Sequence, residues 1–179
     1  MGHRALVGYE RPTGGFTVRY SQWGACGYRL LEAITDSTPL GGVRSDNGPS
    51  RVRPGPLGVA EDLGALAAEY VDPIAHEAVF VVSETYCVRA FEPLAFWRDA
   101  PTAAYGGALV SLRRERDPSV DARELRAWRR GASATGLPST DATVDDAERA
   151  RAHRRLYDAL VADVDGRRVE RIPPRTREA

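Results

Sequence analysis

GHRALVGYERPTGGFTVRYSQW, residues 2–23, is the stretch around which the rest of the chain is arranged. Ala5, Leu6, Val7 and Tyr9 form a short apolar run rich in strand-compatible side chains. Arg11-Pro12-Thr13-Gly14-Gly15 follows. Proline fixes φ and has no N–H to give a ladder, and the two glycines accept the positive φ that hairpin loops need. Phe16, Val18 and Tyr20 then alternate with Thr17, Arg19 and Ser21. That period of two is a strand with one buried face. The stretch therefore predicts a β-hairpin, with the remaining elements covering it or extending its sheet.

Beyond the hairpin, Gln22 to Gly27 is a break in small residues, and Tyr28, Leu30, Leu31 and Ile34 have helical spacing over 27–35. Residues 36–56 carry four prolines and four glycines and read as a long loop, either a lid or an insertion. Val59, Leu63, Leu66, Ala67 and Tyr70 fall on one helical face, predicting a helix over 58–71 with Glu61 and Asp62 in its first turn. Ala78 to Val82 is a continuous apolar run, the mark of a buried strand. Tyr86 to Phe91 reads as its hairpin partner, interrupted by Pro93, with Phe96-Trp97 as an edge extension. Gly107–Leu112 is a fifth strand candidate. From Pro118, suited to a first helical position, the chain turns helical over 119–130. A second helix is expected from a cap at Thr143 to about Val164, stopped by Gly166.

Strand hairpins beside segregated helices predict an α+β fold. The expectation is a mainly antiparallel sheet of about five strands, helices packed on one face, and a C-terminal helix pair. Residues 1–165 form one domain in this reading, and 166–179 a flexible charged tail.

The chain has 179 residues, 42% of them hydrophobic and 28% charged, which suits a globular domain with its own core. No apolar run approaches the length of a membrane span. No secretory leader is seen and Cys26 and Cys87 have no near neighbours, so reduced thiols in a cytoplasm are expected. Arginines and acids balance at 25 each, which removes any long-range pull on nucleic acid or membrane. All 25 basic residues are arginine, a bias that GC-rich codon usage explains without selection for phosphate contacts.

Sequence motifs for catalysis are lacking: there is no G-x-S-x-G, P-loop, H-E-x-x-H or C-x-x-C. No metal or cofactor is expected. The candidate pocket lies at the end of the second strand, where aromatic, polar and thiol groups meet a glycine break. Tyr20, Trp23 and Cys26 form it, with His3 across the hairpin and His76 as the base a thiol would need. Packing is the commoner role for such residues. His76 and Glu77 are neighbours, and neighbours in a strand point to opposite faces. Residues 113–130 hold seven arginines against four acids. Arg123, Arg126 and Arg130 with Trp128 are the candidate nucleic-acid contacts, by phosphate pairing and stacking. The interleaved acids make a solvated helix face the simpler reading, so nucleic acid is disfavoured as a partner.

GHRALVGYER followed by VRYSQWG resembles the opening of a family of small haloarchaeal proteins, a domain of unknown function. The run AHEAVFVV and the later helices follow a similar order. That family has no assigned activity, so the resemblance implies no catalytic residue. The strand–turn–strand opening also resembles N-terminal-nucleophile hydrolase folds, but the residue that would have to be Cys, Ser or Thr is Gly2. The function expected is a cytoplasmic, non-enzymatic domain binding a protein or a small ligand. The alternatives are a hydrolase or transferase using the strand-two pocket, and a nucleic-acid-associated factor.

Overall fold

The computed structural model describes residues 3–42, 51–96, 105–136, 146–164 and 166–175. β1 (Ala5–Glu10) and β2 (Phe16–Ser21) form the opening hairpin, with Ala5 opposite Ser21 and Glu10 opposite Phe16. Its turn closes on two hydrogen bonds, Arg11 N–H to Gly15 O at 3.0 Å and Gly14 N–H to Arg11 O at 2.9 Å. Gly14 and Gly15 sit at φ of 85° and 75°, which the missing Cβ permits.

The hairpin belongs to a seven-stranded sheet of order β3-β2-β1-β4-β5-β6-β7. β3 is Pro56–Ala60, β4 Ala78–Val82, β5 Val88–Ala95, β6 Tyr105–Ser111 and β7 Val169–Arg175. The pairing is antiparallel except between β1 and β4, which run parallel with Ala5 beside Ala78. Parallel pairing at the centre requires both faces to be covered, and β4 is buried along its whole length.

Two helix layers supply that cover. α2 (Leu63–Glu69) lies on one face, where Leu63, Leu66 and Ala67 pack on Leu6, Val18, Val79, Val81, Phe91, Leu109 and Ile172. It touches β7 and β3, the two edge strands, so the sheet curls around it. α1 (Leu30–Ala33), α3 (Pro118–Gly136) and α4 (Asp146–Asp163) cover the other face. Asp62 caps α2 by accepting the Ala65 N–H at 2.7 Å, and Asp117 caps α3 through the Ser119 and Val120 N–H groups.

The α+β class stands, with four corrections. The sheet is mainly antiparallel as expected, but it contains one parallel pair and has seven strands rather than about five. Helices occupy both faces rather than one. Residues 58–60, expected in a helix, belong to β3: Leu57 and Val59 face outward, and the helix waits for its cap at Asp62. The two C-terminal helices do pack together, but they are followed by β7, which occupies half of the expected tail and buries Ile172 completely.

Pro93 does not interrupt its strand. Ala90 and Phe96 bond to β6, so the alternate residues 91, 93 and 95 face β4. Ala78, the first residue of β4, falls opposite Glu92, so Pro93 lies beyond the end of β4 and its missing N–H removes no ladder bond. The expected cap at Thr143, the extension at Trp97, and residues 43–50 of the loop read as lid or insertion lie outside the described residues.

Candidate functional site: two arginine-lined concavities

The face bearing α1 and α3 carries a buried polar centre. Glu92 sits in the run Ala90-Phe91-Glu92-Pro93-Leu94 of β5 and is 2% exposed. Strand alternation points it to the same side as Ala90 and Leu94, beneath α3. Arg126 of α3 meets it in a fork, Nε to Oε1 at 2.6 Å and Nη2 to Oε2 at 2.9 Å. Tyr28 donates its hydroxyl to Oε2 at 2.8 Å. Tyr28 follows Gly27, and both are left-handed, at φ of 55° and 59°. For a bulky residue that conformation is strained. Burial pushes the Glu92 carboxyl up, and the bonds from Arg126 and Tyr28 offset part of the rise. Burial and the neighbouring Glu92 both push the Tyr28 hydroxyl up, so it remains a donor.

This centre separates two concavities. A cleft of about 310 Å³ opens on one side, between β5, α3 and the loop before β4. Glu92, Arg126, Arg129 and Arg130 line it, opposite His76 and Glu77. Asp72 organises that loop by accepting the N–H groups of Ile74 and Ala75. The Asp72 N–H donates to His76 Nδ1 at 3.0 Å, so a neutral His76 carries its proton on Nε2. His76 and Glu77 line the same cleft, contrary to the opposite-face expectation, because they lie in a turn ahead of Ala78 and not in the strand.

On the other side is a groove of about 730 Å³ between α1, the ends of β5 and β6, and the start of α3. Tyr28 reaches its wall. Six arginines line it, Arg29, Arg89, Arg113, Arg114, Arg116 and Arg168, against two acids, Glu32 and Asp117. Arg116 is committed to Glu124 at 2.6 and 2.7 Å, and Arg168 to Glu170 at 2.8 Å. Arg114 Nη2 lies 3.2 Å from the sulfur of the exposed Cys87. Among the described residues, Arg29, Arg113 and Arg114 have no carboxylate within ion-pair reach.

Of the five residues expected to share a pocket, only His76 lines either concavity. His3 lies tilted beside Trp23, ring centroids 6.1 Å apart, and bonds through Nδ1 to Glu77 at 2.8 Å. Tyr20 donates to Gln22 and lies under the guanidinium of Arg53. Cys26 begins a short 3-10 turn and is half-buried. Of the four residues offered for nucleic acid, Arg126 is engaged with Glu92 and Trp128 donates to Asp163 while packing on the core. Arg123 and Arg130 are exposed. Glu92, Tyr28 and the groove's Arg29, Arg89 and Arg168 were not singled out by sequence, whereas Arg113, Arg114 and Arg116 belong to the arginine-rich 113–130 segment. The available signal was Glu92 itself, one acid in a strand otherwise apolar from Ala90 to Phe96.

Among the described residues no helix is long and apolar enough to cross a membrane, and no group of three or more His, Cys, Asp or Glu side chains is placed to hold a metal. No curated protein and no solved structure matches the chain. Residues 1–53 and 43–167 match a family of unknown function (DUF6735), and the chain belongs to that family.

Proposed function

We propose that this is a non-enzymatic binding domain whose ligand is a small, multiply charged phosphate anion held in the arginine groove. The observation that carries the reading is the gathering of six arginines around one concavity in a chain whose charges cancel overall, with Arg29, Arg113 and Arg114 lacking a carboxylate partner among the described residues. Guanidinium groups match phosphate oxygens in pairs, and a groove of about 730 Å³ has the volume of a small-molecule site. Binding is favoured over catalysis because Cys26 lines neither concavity and Glu92 is already engaged by Tyr28 and Arg126. A cytoplasmic setting, part of the same proposal, agrees with two free thiols, one of them exposed. The haloarchaeal kinship suggested by residues 2–24 also belongs to it, and retention of the fold in molar potassium chloride is its check.

The test is calorimetric titration with inorganic triphosphate at low and raised sodium chloride. Saturable binding that weakens with salt, and falls at least ~10-fold when Arg113 and Arg114 are both replaced by Ala, is expected. Absence of binding, or binding indifferent to those substitutions, overturns the reading. Phosphorus NMR of the same mixture should show the probe intact after prolonged incubation; its hydrolysis would refute the non-enzymatic part.

A further inference from the structure

The smaller cleft has a chemistry different from the groove. One wall is a stripe of α3, where Arg126, Arg129 and Arg130 fall three and four residues apart and so share a face. Arg126 spends Nε and Nη2 on Glu92, which leaves Nη1 with no hydrogen bond among the described residues. Arg130 is exposed and has no ion pair or side-chain hydrogen bond among them. The other walls include Pro73, Pro93 and Leu94, all buried, and the partly exposed Ile74. His76 completes the rim, its Nδ1 occupied by the Asp72 N–H and its proton therefore on Nε2.

Three arginines here face two acids, Glu77 and Glu92, so the lining carries a surplus of one positive charge. Glu92 is neutralised by its fork with Arg126, whereas Glu77 is nearly half exposed and would repel a second negative charge. A monoanion fits this balance better than a phosphate dianion. Ile74, partly exposed, offers a carbon frame an apolar contact, and a volume of about 310 Å³ has room for a small acid.

We propose that the cleft between α3, β5 and residues 73–77 is a second ligand site, for a small organic carboxylate. The carboxylate bonds Arg130 and the remaining nitrogen of Arg126, and its aliphatic part lies on Ile74. The Tyr28–Glu92 hydrogen bond forms the partition, since Tyr28 lines the groove and Glu92 the cleft. The two sites are therefore chemically and spatially distinct, and this one stands whether or not the groove binds phosphate.

The test is an NMR titration of the full chain with isovalerate, following the backbone amides of Leu94 and Ala95. Isovaleramide serves as the uncharged control, and inorganic phosphate as the dianion. Saturable shifts with isovalerate, absent with the amide and weaker with phosphate, are expected. Arg130→Ala, at an exposed position whose loss leaves the fold intact, should weaken isovalerate binding about tenfold. Arg113→Ala, in the groove, should leave it unchanged. No saturable shift, equal response to the amide, tighter binding of phosphate, or loss of binding in Arg113→Ala rather than Arg130→Ala overturns the proposal.

Discussion

Arg167 holds Asp121 with both terminal guanidinium nitrogens at 2.7 Å, across 46 residues of sequence. The carboxylate is fully buried and the guanidinium nearly so. The same carboxylate accepts the Arg113 N–H at 2.9 Å, and Arg167 also donates to Ser111 O. The first turn of α3, the end of β6 and the approach to β7 are fastened at one point.

Replacing Arg167 by Met should leave Asp121 buried without its main partner and remove about 3–5 kcal/mol at neutral pH. Burial alone would push the Asp121 carboxyl up; the bonds from Arg167 and the Arg113 N–H outweigh it and hold it below the usual range. An acid lowered on folding contributes stability above its unfolded value of about 4, and that contribution is lost as pH falls through the folded value. The deficit of Arg167→Met should therefore shrink in acid. Urea unfolding of both proteins at neutral and acidic pH measures it.

Glu92 has the opposite sign. Its carboxyl is raised on folding, so the folded protein holds the proton more tightly and stability falls as pH climbs through the interval between the unfolded and folded values. Arg126→Met removes the main offset, raises Glu92 further, and should cost about 3 kcal/mol at neutral pH. Its deficit should grow with pH, unlike that of Arg167→Met. Tyr28→Phe, which removes one neutral donor, should cost about 1–2 kcal/mol in the same assay.

His153 of α4 is fully buried, with Nε2 3.2 Å from Ile172 O on β7 and its ring against Phe96. Burial first, then the charge of Arg171, pushes its pKa down to about 4. The unfolded chain takes up this proton near pH 6.5 and the folded chain only near 4, so stability declines as pH falls across that interval. The full decline is about 3 kcal/mol. His153→Leu should flatten that part of the stability–pH curve, whatever its own loss at pH 7.

Gly107 on β6 lies where an added Cβ would sit 2.0 Å from Leu94 O, a backbone atom of the adjacent strand. Gly107→Ala should lose at least about 2 kcal/mol, because the neighbour cannot swing away. Gly131 on α3 has nothing within 4 Å of its added Cβ. There Ala should gain about 0.5–1 kcal/mol through helix propensity. Thermal melts of the two variants should move in opposite directions.

Local patterns in the sequence foretold the local parts of the fold. The Pro-Thr-Gly-Gly turn, the alternation from Phe16 to Tyr20 and the apolar run from Ala78 to Val82 each name an element and its buried face. Pairing that depends on distant residues was not legible. Nothing in Ala5–Glu10 says that its second neighbour is β4 and runs parallel. β3 was hidden because Val59, Leu63 and Leu66 happen to match a helical period, although the chain changes from strand to helix between Ala60 and Leu63. β7 was hidden by charge: Val169, Ile172 and two prolines lie among arginines and acids, and only the curl of the sheet onto α2 gives Ile172 a buried place. The groove escaped notice for a similar reason. Arg29 and Arg89 are far in sequence from Arg113 and Arg114, and the topology alone brings them together.

The contact of α2 with β7 joins segments about a hundred residues apart. On a ribosome, the hairpin and α2 emerge long before the strand that closes their shared core. Until Ile172 arrives, the flank of α2 that meets β7 and the outer edge of β6 stand uncovered. Such long-range closure implies slow folding, with a late step that a truncation before Val169 would abolish. Nascent chains stalled short of that point should be digested by protease within β6, and released full-length chains should resist.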